Sequence, residues 1–165
     1  MVNKIIEKKY PKPMSTISNV FWIGLFGGIF WTLIGYIAYL FSLTEIRPNI
    51  ILEPWALGDW KKGWLGTVIS IVLIGIFSVG ASFIYYVVLK KLKGIWPGMG
   101  FGVLLFFFVF LLLNPLFPDM DPFLKINRDT MITSVCLYIV YGIFIGYSIS
   151  YEFQNQIVQD KEPVT

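Results

Sequence analysis

The chain has 165 residues, of which 56% are hydrophobic and 14% charged, with a formal net charge of +3. Soluble domains carry roughly 25% charged residues, so this composition excludes an ordinary soluble domain. There is no His and a single Cys, Cys136, which excludes the common zinc and haem ligand sets and any Ser–His or Cys–His nucleophile pair.

The distribution of charge separates membrane spans from a merely apolar core. Residues 13–44, 63–89, 94–118 and 130–151 contain no Asp, Glu, Lys or Arg, and each run has at least 22 residues. A bilayer-spanning helix needs roughly 20 apolar residues. The runs are continuously apolar rather than alternating, and backbone in lipid must satisfy its own hydrogen bonds, so the expected fold is all-α: a polytopic bundle of four transmembrane helices.

In chain order, residues 1–16 form a basic, Pro-containing leader. The first span is expected over 18–41 with Ser18 or Asn19 as its cap. It is too long for a signal-peptide core and is read as an uncleaved helix. The outer loop that follows, 42–63, carries balanced charges, Pro48 and Pro54, and an unusual load of Ile50, Ile51, Leu52, Trp55, Leu57, Trp60 and Trp64. A free aqueous loop would not expose so much apolar surface. It either lies among the lipid headgroups, where Trp is favoured, or forms a lid that binds a partner. The candidate partner-binding residues are Trp55, Asp59, Trp60 and Lys61.

The second span is expected over 64–89 and is long enough to tilt. Lys90, Lys91 and Lys93 crowd the next connection, as the positive-inside tendency requires. The third span covers 95–114, with Pro97 suited to its first turn and Pro115 ending it. The fourth covers 130–151, with Asn127, Asp129 or Thr130 as cap. A cytoplasmic tail, 153–165, completes a transmembrane domain of 17–152. Eight basic residues fall on the side of the termini against five on the other, which places both termini in the cytoplasm. The net positive charge is thus a topology signal and implies no nucleic-acid partner.

Glycines recur at four-residue spacing: Gly24 and Gly28, then Gly94, Gly98 and Gly102, then Gly142 and Gly146. Lipid tails are as apolar as Leu, so membrane helices associate by close packing, and small residues on one face allow it. These seven glycines are the expected packing positions. No catalytic, cofactor-binding or metal-binding residue is assigned, since no P-loop or H-E-x-x-H motif is present and the spans hold no charge of the kind that proton- or ion-coupled transporters place in the membrane. A weaker polar cluster is drawn at the outer face from Glu45, Asn114, Asp119 and Asp121. It is either a solvated turn with Asn114 as helix cap or an oxygen-rich cation site.

Several segments together resemble a known family: Leu25-Phe26-Gly27-Gly28-Ile29-Phe30-Trp31, Thr44-Glu45-Ile46-Arg47-Pro48-Asn49, Ala56-Leu57-Gly58-Asp59-Trp60-Lys61, Leu113-Asn114-Pro115-Leu116-Phe117-Pro118-Asp119 and Gly146-Tyr147-Ser148-Ile149-Ser150. They are similar to the YqhR-type conserved membrane proteins of Gram-positive bacteria. The resemblance implies a multi-span protein of the cell membrane and supplies no site residues. With no catalytic constellation, the expected function is that of a non-enzymatic accessory or assembly subunit binding a membrane protein partner within the lipid bilayer. The alternative is a small transporter or lipid-handling protein acting as a homo-oligomer.

Overall fold

The computed structural model describes residues 15–54, 56, 58–92, 94–117 and 122–161. Among them every regular element is helical. The four long helices are α1 (Thr16–Leu40), α2 (Trp64–Leu89), α3 (Trp96–Phe107, with its extension below) and α4 (Arg128–Lys161). All four are long and apolar enough to cross a membrane.

Helix α1 starts two residues earlier than the sequence implies. Ser15, not Ser18 or Asn19, is the cap, and its Oγ accepts the Ser18 N–H at 3.3 Å. At its far end Ser42 adopts φ 59°, and the Leu43 N–H reaches back to the Ala38 carbonyl at 2.9 Å. This is a left-handed helix stop of the kind usually made by Gly. Helix α4 runs on to Lys161, a full 34 residues and about 51 Å at 1.5 Å per residue. That exceeds the roughly 30 Å hydrocarbon core, so a polar segment from Glu152 onward projects beyond the span.

Helix α3 changes pitch before it stops. Phe108–Leu113 is π-helical and Asn114–Leu116 tightens into a 3₁₀ turn. Pro115 has no N–H, so the ladder loses a donor there. The wide turn keeps Phe106 stacked on Phe110 at 4.5 Å, with Tyr138 of α4 edge-on to both.

Two close helix pairs build the bundle, α1 with α2 and α3 with α4. Helix α4 also packs on α1 and α2, which makes it the hub. A Cβ on Gly24 would lie 2.9 Å from Val79 Cα, and one on Gly28 would lie 2.8 Å from Gly75 Cα. Across the second pair, a Cβ on Gly98 would lie 2.7 Å from the Gly142 carbonyl oxygen, and one on Gly146 would lie 2.6 Å from Gly98 Cα. One expected packing glycine belongs elsewhere. Gly94 precedes α3, has φ 105° and has no neighbour within reach of a Cβ, so it is a turn glycine that lets the chain enter α3.

The core lies around α4, where Tyr85, Phe101, Tyr141, Ile145 and Ile149 are buried with Val20. Polar groups cross-link it at membrane depth. The Ser78 Oγ donates to the Gly24 carbonyl at 2.6 Å and also meets the Tyr141 hydroxyl at 2.6 Å. One small residue thus ties α1, α2 and α4 together. Interhelical hydrogen bonds in membranes average about 0.6 kcal/mol and reach about 1.7. Ser78→Ala is therefore expected to cost about 1 kcal/mol, read as a lowered Tm in detergent. Tyr141→Phe in the Ser78→Ala background should then add little. A fully additive second loss would show that the two hydroxyls do not act as a unit.

Candidate functional site

The described residues between α1 and α2 are not an irregular loop. They fold into two short 3₁₀ turns, Pro48–Leu52 and Asp59–Lys62, that pack over the start of α2. Pro48 at the first position of its turn fixes the entry dihedral. Leu52 is buried at 4% exposure, so part of the apolar run that made this loop conspicuous is turned inward.

Asn49 fastens the cap. It is buried, and its Nδ2 donates to the Lys61 carbonyl at 2.6 Å and to the Gly63 carbonyl at 3.3 Å. Its Oδ1 accepts the Thr67 hydroxyl at 2.9 Å. A single amide therefore joins the first turn to the second turn and to α2. The approach is close enough that a Cβ on Gly66 would collide with the Lys61 carbonyl. An ion pair between Lys61 and Glu53 at 2.8 Å closes the same cap. The other edge of the loop is tied to α4: the Thr130 hydroxyl accepts the Glu45 N–H at 3.0 Å, and Thr133 donates to the Leu43 carbonyl at 3.0 Å. Arg47 lies over the Tyr39 ring at 4.7 Å, a cation–π contact that adds a further tie to α1.

The candidate partner-binding residues now separate by role. Lys61 is a structural member of the cap through both its ammonium and its carbonyl. Asp59 is exposed at the rim, and Trp60 beside it keeps 46% of its surface open. Trp55 lies outside the described residues. Gly58 before this turn has φ 100°, a conformation that suits Gly and directs the chain into the Asp59 turn.

The outer polar cluster is not assembled in the same way. Glu45 meets Asn127 at 3.4 Å, Asn114 sits in the turn that ends α3, and Asp119 and Asp121 lie outside the described residues. Among the described residues no three His, Cys, Asp or Glu side chains converge. Sequence reasoning gave no part in fastening this segment to Asn49, Thr67, Thr130 or Thr133, and drew Thr130 only as a candidate helix cap. The available signal was Asn49 itself, a polar side chain set inside the apolar stretch 48–52.

Comparison with known proteins gives consistent results. A family model described as Conserved membrane protein YqhR matches residues 2–163. The Bacillus subtilis (strain 168) protein with the name Uncharacterized protein YqhR is 47% identical over 159 residues, covering 96% of this chain and 89% of that protein. No solved structure matches the chain.

Proposed function

The chain belongs to the YqhR family of conserved membrane proteins, and from that premise we propose that it is a non-enzymatic accessory or assembly subunit whose outer cap docks a membrane partner. One observation carries this reading. The cap is held rigidly by Asn49 and by the Lys61–Glu53 pair, yet it leaves Asp59 and a half-exposed Trp60 at its rim. Aromatic anchors on a preorganised surface are where binding energy concentrates. The excess of basic residues on the side of the termini supports an orientation with both termini cytoplasmic and the cap outside the cell membrane.

A solute pathway through one copy finds no support. The space between α3 and α4 is closed by backbone against backbone, and the interior around Tyr85, Ile145 and Ile149 is filled. The test is isolation of the tagged chain in mild detergent at native expression, with mass spectrometry of what accompanies it. Trp60→Ala and Asp59→Lys are expected to lose a stoichiometric partner while keeping the Tm of the unchanged chain. Full recovery of that partner by both variants would sink the reading.

A further inference from the structure

At the other end of the bundle, a groove of about 510 Å³ is lined by Asn19, Trp22 and Ile23 of α1 and by Glu152 of α4. The three α1 residues follow i, i+3, i+4 spacing and so share one face. Glu152 is the first charge after the run 130–151, and Asn19 lies in the first turns of α1. The groove therefore sits where the apolar slab meets the headgroups, and Trp22, 56% exposed, is the kind of residue that occupies that level.

The carboxylate is held but not neutralised. Glu152 Oε1 accepts the Asn19 amide at 2.6 Å and the Gln156 amide at 3.4 Å. Thr16 in turn bonds to Gln156, so three side chains of α1 and α4 fix the orientation of the acid. Among the described residues no Lys or Arg pairs with Glu152, and its second oxygen receives no hydrogen bond. The nearby cation Lys90 is engaged instead, over the rings of Tyr86 at 4.1 Å and Phe153 at 5.1 Å. An unpaired acid at the membrane edge is costly unless something positive meets it.

We propose that this groove binds the primary ammonium headgroup of a phosphatidylethanolamine-type lipid. Glu152 Oε2 accepts an ammonium N–H, the Trp22 ring faces the cation, and Ile23 meets the apolar part of the lipid. The groove lining carries an acid and no base, so charge complementarity selects an ammonium over an anionic headgroup. A quaternary choline has no N–H to give, so the preference must fall as the nitrogen is methylated.

The test uses the full chain in detergent micelles, with native mass spectrometry of bound lipid. The probes are phosphatidylethanolamine, its mono- and dimethyl derivatives, phosphatidylcholine, phosphatidylglycerol and free phosphoethanolamine. Phosphatidylethanolamine is expected to be retained on the order of tenfold better than phosphatidylcholine, with a graded decline through the methyl series. Glu152→Gln keeps an oxygen for Asn19 and is expected to erase the difference; Trp22→Leu should reduce it a few-fold. The methyl series on the unchanged chain reads the same property if a variant fails to fold. Equal retention of all lipids overturns the proposal, as does a preference that survives Glu152→Gln. Binding of free phosphoethanolamine as tight as that of the lipid also overturns it and assigns the site to a soluble amine. If the preference emerges only after Lys8, Lys9 and Lys12 are changed to Gln, a leader ammonium fills the groove in the unchanged chain and the proposal is overturned for that chain.

Discussion

Gly142→Leu is expected to separate α3 from α4 and to leave no folded bundle in detergent, and even Gly142→Ala should lower stability by about 2 kcal/mol. A Cβ at this position would lie 2.5 Å from both the N and the Cα of Gly102. Those are backbone atoms of a facing helix, so no rotamer change can relieve the contact. The helices would have to move apart by about 1 Å to restore ordinary separations near 3.5 Å. Because Gly98, Gly102, Gly142 and Gly146 interlock, that movement loosens every layer from Tyr138 to Tyr85. In lipid, where apolar surface alone does not hold helices together, lost close packing is lost association.

The controls are built into the same helices. Gly80 on α2 and Gly100 on α3 have no neighbour within reach of a Cβ. Gly80→Ala and Gly100→Ala are expected to stay within about 0.5 kcal/mol of the unchanged chain. Thermal loss of the monodisperse peak on size exclusion measures all four variants on one scale. If Gly142→Leu and Gly100→Ala melt together, the interlocked glycines do not hold the bundle.

The contrast between these glycines marks where sequence reasoning stops. Spans are legible because a stretch without charge is a property of composition, and residues 63–89 announce α2 with no knowledge of its neighbours. Partner choice is different. Four-residue spacing shows that Gly98 and Gly102 share a face with each other, but not that the face meets Gly142 rather than Gly75. The same spacing drew in Gly94, which is a loop residue with positive φ, because periodicity cannot register where the helix begins. The π-helical stretch 108–113 was hidden for a similar reason: Pro115 announces a stop but not how the preceding turn widens. In the cap, the conspicuous residues were aromatic and charged, whereas its integrity rests on Asn49, Thr67 and Thr130, whose neighbours come from distant positions. The groove at Glu152 was equally silent, since Asn19 and Glu152 are separated by 133 positions.

Asn49→Asp is expected to open the cap between α1 and α2 while the four spans stay folded, at a cost of about 3 kcal/mol to the cap. The substitution is nearly isosteric, so packing is not the issue. In the unchanged chain the Nδ2 group donates to two carbonyls, those of Lys61 and Gly63. An aspartate would turn an acceptor toward both oxygens, in a buried setting where repulsion is weakly screened. Asn49→Leu should cost somewhat less, because it removes the donor to the Lys61 carbonyl without adding charge, while the Gly63 carbonyl keeps the Thr67 N–H at 3.2 Å. Thr67→Val should cost least, about 1 kcal/mol, since it removes the bond to Oδ1 and a longer contact with the Gly63 carbonyl, which keeps its backbone donor. The expected order of cost is therefore Asp, then Leu, then Val, whereas apolar burial alone would make both Leu and Val favourable. Hydrogen exchange of residues 48–64 and tryptic cleavage after Lys61 and Lys62 both report cap opening, while exchange within α2 and α4 reports the spans. A cap in Asn49→Asp as protected as in the unchanged chain would show that the amide does not fasten it. If the cap opens as expected, the variant also tests the proposed docking role: a partner that needs a rigid rim should be lost with Asn49→Asp as fully as with Trp60→Ala, although Asn49 is itself buried.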